Sequence, residues 1–370
     1  MNDWHTRIQR SQQLAKSISA LSYNCIYINP HLGRQFESLS LVDRKHRLST
    51  LGDQLYELHI RLPREPVFHH RNLTGKESDI ISDAIESVIP SNATVPGLQI
   101  VSLPIWLNAA MEIRRKHGYP IVYDCHDLLE GFSDYSQDIR AAEADLFREA
   151  DRVIFSSDVL LEHYTANNIE LRKKSIVLRN AVDETLLKQP RTTRLPSERS
   201  VVGYIGAIEE WFDSDAVRQA ALALPDKLFV LYGKAENATA LNQLQLPNVK
   251  FMGEVEFADI PRVLAEFDVG LIPFLVNDLT LSTNPIKIYE YFAFGIPVVS
   301  TALPEVTRFG ELVYIADARL GFAEQVRSAL SEQVDTLTSR RREIASRETW
   351  GCRGRELHEL MQDLFRSGTA

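Results

Sequence analysis

FDVGLIPFLVNDLTLSTNPIKIYEYFAFGIPVVST (267–301) contains two β-type runs with one helical pattern between them. DVGLIPF (268–274) and IPVVST (296–301) are short, apolar and bounded by Pro, Gly or polar residues, as buried strands are. Between them, Asn284 reads as an N-cap, Pro285 as the first helical residue, and Gly295 with Pro297 as the stop. A strand, a helix and a second strand at this spacing form the crossover unit of a parallel sheet.

The helix is apolar almost all the way round, which suits a place in a core. At about 100° per residue, Ile286, Ile288, Tyr289 and Phe292 cover most of its circumference. Lys287, Glu290, Tyr291 and Phe294 share the remaining side. A lysine in the first turn opposes the helix dipole unless an anion is also present. Bare N–H groups at a helix start suit phosphate. Lys287 beside a diphosphate and Glu290 accepting from ribose hydroxyls would reconcile these facts. An i, i+3 Lys–Glu pair worth a few tenths of a kcal/mol explains the same two residues equally well.

The alternation extends outward from this unit. Downstream of residue 200, strands are predicted at VVGYIGAI (201–208), KLFVLYG (227–233), NVKFMGEV (248–255) and LVYIAD (312–317). Helical patterns such as SDAVRQAALAL and ADIPRVLAEF separate them. Upstream, strands are predicted at YNCIYINP (22–29), LQIVSLP (98–104), YPIVYDCHD (119–127), DRVIFSS (151–157) and KSIVLRN (174–180). The Pro-, His- and Ser-rich stretch 62–97 offers only a short helix. QPRTTRLPSERS (189–200) is turn-rich and reads as a linker. From Gly321 the tail is helical and ends in the amphipathic GRELHELMQDLFRS. This predicts an α/β protein of two doubly wound domains, 1–188 and 201–345, with a helical segment 346–370. Ligands of such sheets bind at strand carboxyl ends, so a cleft between the two domains is expected.

Composition excludes several function classes. The 370 residues exceed one ordinary domain and suit two. A net charge of −9 argues against nucleic-acid binding. Residues 1–180 hold 21 Lys+Arg against 23 Asp+Glu, so most of the acidity lies in the second half. Three scattered cysteines without a CxxC argue for a reducing compartment and against a zinc site. With a polar N-terminus and no membrane-spanning run, the reading is cytoplasmic. Basic clusters at 44–47 and 114–117 invite a peripheral membrane contact, although solvated helix ends are the preferred explanation.

Several segments together resemble one family. They are YDCHD, EADLFREADRVIFSSDVLLEHY, VLRNAVD, VGYIGAIEEWFDSDAV, LPNVKFMGEV and the 267–306 stretch. Their order and spacing are similar to bacterial GT-B glycosyltransferases, specifically the family-4-like enzymes that build capsular, teichuronic and exopolysaccharide chains. The resemblance covers nearly the whole chain and is strongest between Val201 and Val306. It implies two Rossmann-like domains, an acceptor-binding first and a donor-binding second, with a C-terminal helix returning to the first. The implied substrates are a nucleotide-diphospho-sugar, with UDP favoured, and a saccharide or lipid-linked acceptor; no metal or cofactor is implied. By this analogy Gly206, Ala207, Thr283 and Asn284 belong to the donor site. Gly253 and Glu254 would cradle the nucleobase, Lys287 the diphosphate and Glu290 the ribose.

The chain departs from the family in two places. Many relatives carry a sugar-contacting glutamate eight positions before the ribose glutamate, and here Ser282 stands at that position. Asn277, Asp278 or Thr283 could substitute. Relatives also have a β-strand before the segment matching DWHTRIQRSQQLA, and Met1 stands almost where it should end, so that strand is expected to be missing.

Displacement at an anomeric carbon needs a base for the acceptor hydroxyl, unless the donor's own phosphate takes the proton. Strand alternation in YDCHD places Asp124 and His126 together on the side opposite Tyr123 and Cys125. They are the catalytic candidates, with a helix-capping Asp–His pair as the plainer alternative. Glu209, Glu210 and Asp213 read as ordinary acidic residues at a helix start, Lys234 as a loop lysine, and His31 as a loop histidine. Two other functions remain open: a nucleotide-sugar epimerase of the same fold, and a non-catalytic subunit that binds donor or a partner.

Overall fold

Branched and aromatic runs, punctuated by capped helices, build two sets of parallel strands. The computed structural model describes residues 4, 8–29, 46–63, 71–89, 96–132, 135–188, 199–235, 238–317, 319, 321–332 and 335–367. His31, Arg44, Lys45 and nearly all of the 189–200 stretch lie outside the described residues.

The chain divides into two units: residues 1–179 with 351–370, and residues 180–350. Unit 1 runs α1 (Arg10–Ser19), β1 (Cys25–Asn29), β2 (His46–Gly52), β3 (Leu55–Ile60), α2 (Gly75–Val88), β4 (Gln99–Val101) and α3 (Leu107–His117). It continues through β5 (Ile121–Cys125), α4 (Gln137–Glu149), β6 (Arg152–Phe155), α5 (Asp158–Thr165), α6 (Ile169–Lys173) and β7 (Ser175–Val177). Unit 2 runs α7 (Glu184–Leu187), β8 (Val201–Ile205), α8 (Ser214–Ala223), β9 (Leu228–Tyr232), α9 (Ala238–Gln243), β10 (Val249–Gly253) and α10 (Ile260–Ala265). It continues through β11 (Val269–Ile272), α11 (Asp278–Ser282), α12 (Ile286–Ala293), β12 (Val298–Thr301), α13 (Pro304–Thr307), β13 (Val313–Ala316), α14 (Phe322–Leu330) and α15 (Asp335–Arg347). Helix α16 (Trp350–Ser367) follows, and from Gly351 onward it belongs to unit 1.

In unit 2 the sheet order is β10-β9-β8-β11-β12-β13, every neighbouring pair parallel. Numbered within the unit this is 3-2-1-4-5-6, the doubly wound order whose switch point lies between the first and fourth strands, here β8 and β11. Every residue of β8, β11 and β12 is buried, which explains their uninterrupted hydrophobic runs. Helix α12 joins β11 to β12 through this core, with Ile288, Tyr289, Tyr291 and Phe292 fully enclosed.

Unit 1 has two sheets among its described residues, β1-β3-β2 and the all-parallel β4-β5-β6-β7. In the first, β1 runs parallel to β3, and β2 pairs with β3 as an antiparallel hairpin. Sequence reading did not find this hairpin, because LYELHI carries Glu57 and His59 on a strand that is nevertheless buried. The short helix expected in 62–97 is the 14-residue α2. A reciprocal cap starts it: the Glu77 amide donates to the Thr74 hydroxyl, and the Thr74 amide donates to the Glu77 carboxylate. Arg71 clamps that carboxylate and holds it down to about 2.

Candidate functional site

The carboxyl end of β8 is where the switch point predicts a ligand, and the chain turns there on a glycine. Gly206, at φ +150°, follows the strand, and its amide donates to the Tyr232 carbonyl at 2.8 Å. Gly233, at φ +140°, follows β9, and its amide donates to the Gly253 carbonyl at 2.7 Å. Each turn therefore braces the next across β8, β9 and β10. A Cβ on Gly233 would lie 1.9 Å from the Gly206 carbonyl oxygen, so only glycine fits. Sequence reading singled out Gly206 and Gly253 but passed over Gly233, which KLFVLYG presents as a plain strand end.

Lys287 lies across this turn. A Cβ on Gly206 would fall 2.2 Å from Lys287 Cε and 2.6 Å from its Nζ. The ammonium stands 5.6 Å from the Tyr204 ring centroid and 5.7 Å from that of Phe274, within cation–π range of both. Tyr204 is the penultimate residue of β8 and Phe274 lies two residues beyond β11, so the lysine marks the switch point itself. The Tyr204 hydroxyl donates to the Ala207 carbonyl at 2.7 Å, holding the turn in place. Glu290, one helical turn on, keeps part of its surface exposed. Burial of the rest pushes its carboxyl above the usual range, while Lys287 pulls it back. The structure thus brings Gly206, Ala207 and Lys287 together, with Glu290 beside them.

The remaining donor candidates separate. Gly253 ends β10 at φ +75° and is exposed, as is Glu254. Asn284 is corrected: Pro285 occupies the cap position of α12, and no side chain caps the helix. Asn284 is buried, and its amide is spent inside the fold. Its Oδ1 accepts from the Asn180 amide and the Tyr289 hydroxyl, and its Nδ2 donates to Glu305 and Tyr289. The Thr283 hydroxyl donates to the Leu279 carbonyl, and the Ser282 hydroxyl, also buried, donates to the Asp278 carbonyl. Asn277 caps α11 by accepting from the Thr280 amide. Asp278, exposed in the first turn of α11, is the carboxylate among the proposed substitutes. Asp213 caps α8 through the Ala216 amide, as the plainer reading expected, and Lys234 is exposed.

In unit 1, β5 alternates as predicted. Tyr123 turns toward α4 and donates to Glu143 at 2.6 Å, whereas Asp124 turns toward α1. Asp124 as a solvent-facing base is corrected. Its side chain is 0% exposed, and Arg10 takes both oxygens, Nε at 2.9 and 3.1 Å and a terminal nitrogen at 2.8 Å. A buried carboxylate neutralised this way serves its ion pair rather than an incoming proton. His126 remains 28% exposed; its Nδ1 lies 3.0 Å from the Asp124 carbonyl and 3.8 Å from the Asp124 carboxylate. Its Nε2 is 3.7 Å from Asp127. Arg10 was missed because 114 residues separate it from Asp124. The one signal available was that a buried strand carboxylate requires a cation.

The basic cluster 114–117 is engaged locally. Arg114 pairs with Asp151, Arg115 with Glu112, and Lys116 with Glu86. Of the cluster 44–47, His46 and Arg47 lie on β2. Among the described residues, no group of three or more His, Cys, Asp and Glu could hold a metal ion, and no helix is long and apolar enough to cross a membrane.

Residues 199–332 match the protein family described as Glycosyl transferases group 1. The chain is 29% identical over 259 residues to TuaH of Bacillus subtilis (strain 168), whose name assigns it to teichuronic acid biosynthesis as a glycosyltransferase. That match covers 64% of this chain and 65% of the relative's length. Among solved structures, sucrose-phosphate synthase from Thermosynechococcus elongatus superposes with a TM-score of 0.74 at 15% identity, covering 96% of this chain and 93% of that one. Anabaena Alr3699/HepE in complex with UDP-glucose superposes with a TM-score of 0.67 at 18% identity, covering 98% of each chain. The chain therefore has the GT-B fold, and its residues 199–332 are similar to the group 1 glycosyl transferases.

Proposed function

We propose that this chain transfers a sugar from a nucleotide-diphospho-sugar to a hydroxyl of a saccharide or lipid-linked oligosaccharide in cell-surface polysaccharide synthesis. The observation that carries this reading is the Lys287 ammonium laid across the Gly206 turn at the switch point of unit 2. The TuaH similarity supports the polysaccharide context. UDP is the favoured nucleotide, since the structural neighbour HepE holds UDP-glucose.

In the proposed reaction the bond from the anomeric carbon to the diphosphate oxygen breaks, and the nucleoside diphosphate leaves with the electron pair. Lys287 meets the charge that grows on that oxygen, as preorganised cations do at leaving groups. Glu290 accepts from ribose hydroxyls. The acceptor oxygen attacks the anomeric carbon, and its proton passes to His126 or to the donor's phosphate. Asp124 acts only by holding Arg10 and the end of β5. Transfer is proposed to be metal-independent, so saturating chelator should leave the rate unchanged. A cytoplasmic location is part of this proposal; a peripheral membrane contact through Arg114 and Arg115 predicts vesicle sedimentation that charge reversal at both abolishes.

Incubation with a panel of nucleotide sugars, with and without saccharide acceptors, tests the reading through nucleoside diphosphate release. Acceptor-dependent release, lost in Lys287→Ala, is the expected result. Donor turnover without acceptor would instead identify an epimerase. A second reading, donor binding without transfer, is favoured by Ser282, whose buried hydroxyl is committed to Asp278 where relatives place a sugar-binding carboxylate. Tight donor binding with no release under any acceptor would establish it.

A further inference from the structure

No side chain caps the first turn of α12. Pro285 occupies the cap position, the helix begins at Ile286, and Lys287 is its second residue. The anchor is a buried network around Asn284, which is 2% exposed. Asn284 Oδ1 accepts from the Asn180 amide at 2.8 Å, and Asn180 Nδ2 donates back to the Asn284 carbonyl at 2.7 Å. Asn284 Nδ2 donates to Glu305 Oε2 at 2.9 Å, and the Tyr289 hydroxyl closes the group from within α12. Glu305, also 2% exposed, stands in the first turn of α13 just after β12, with Arg308 3.4 Å from the same oxygen. Arg308 in turn lies 3.7 Å from Glu348.

The geometry matters because an amide can be satisfied in two flipped orientations. A carboxylate only accepts, so Glu305 forces the NH₂ of Asn284 toward itself and the oxygen toward the Asn180 amide. That orientation ties the residue before α12 to the chain entering unit 2. Without it, Asn284 could rotate and the first turn, with Lys287 on it, would lose its register over Gly206.

We propose that Glu305 is a positioning residue for the nucleotide site: acting through Asn284, it fixes the first turn of α12 so that Lys287 stays over the Gly206 turn. This rests on the nucleotide reading above. It goes beyond that reading by assigning a role to a buried residue that acts through Asn284.

The test is UDP affinity by calorimetry on the full chain, for wild type, Glu305→Ala, Glu305→Gln, Lys287→Ala and the Lys287→Ala/Glu305→Ala double variant. Glu305→Ala should weaken UDP about tenfold, since ångström-scale displacement of a binding group costs on this order. Glu305→Gln, which retains an accepting oxygen, should recover most of the loss. In the Lys287→Ala background, Glu305→Ala should change affinity less than about twofold, because the group it positions is gone. Should Glu305→Ala fail to fold, Asn284→Ala is read by the same comparison. Faster amide exchange at Ile286–Ile288 in Glu305→Ala than in wild type is a further expected result. Equal losses in both backgrounds, or no loss at all while Lys287→Ala weakens UDP, would overturn the positioning role alone. Absence of UDP binding in wild type would overturn the nucleotide reading and the proposal together.

Discussion

Replacing Glu143 with glutamine should stabilise unit 1 at pH 8 and leave it nearly unchanged at pH 5. Glu143 is 5% exposed on α4, and its oxygens accept from the Tyr123 hydroxyl at 2.6 Å and the Tyr164 hydroxyl at 3.1 Å. Burial pushes its carboxyl up from 4.5 to about 7; the two hydroxyls pull it back, Glu130 adds to the rise and Arg140 opposes it. Below 4.5 the group is protonated whether the chain is folded or not, so it favours neither state. Between 4.5 and about 7 the unfolded chain sheds this proton first, so folding stability falls as pH rises, and the loss is complete above 7. That interval, at roughly 1.4 kcal/mol per pH unit, is worth on the order of 3 kcal/mol. Glutamine cannot ionise and keeps an accepting oxygen for the tyrosines. Thermal melts of both proteins from pH 5 to pH 8 should therefore diverge, the variant melting roughly 6–12 °C higher at pH 8. Melting curves that stay parallel across this range, or a variant less stable at pH 8, would refute the reasoning.

Gly233→Ala should disrupt the donor turn: its φ of +140° and the 1.9 Å approach of a Cβ to the Gly206 carbonyl have no cheap relief. A loss of roughly 2–4 kcal/mol in chemical unfolding is expected, together with weakened UDP binding. Arg10→Met strands the fully buried Asp124 carboxylate and should cost about 3–5 kcal/mol. Adding Asp124→Asn should restore part of that stability, which a double-variant cycle in denaturant measures.

Much of the fold is legible because its signals are local. The all-buried strands β8, β11 and β12 leave uninterrupted apolar runs, and the helices between them carry their own period. Lys287 and Glu290 also stood out locally, as charges on an otherwise apolar helix. What escaped depends on distant partners. Asp124 looked like a free carboxylate because Arg10 lies far away in sequence. Asn284 looked like a cap because Asn-Pro is a common helix start, yet its amide is claimed by Asn180 and Glu305. Gly233 is required only because another strand's turn presses on it. The β2–β3 hairpin was hidden by Glu57 and His59, polar residues that the fold buries.

The central claim is that the switch point of unit 2 binds a nucleoside diphosphate through Lys287. Calorimetric titration of UDP into wild type and Lys287→Ala tests it most directly. Saturable binding by wild type, weakened at least about tenfold in the variant, is the predicted result for a charge-assisted phosphate contact. Equal affinity in the two proteins would contradict the account.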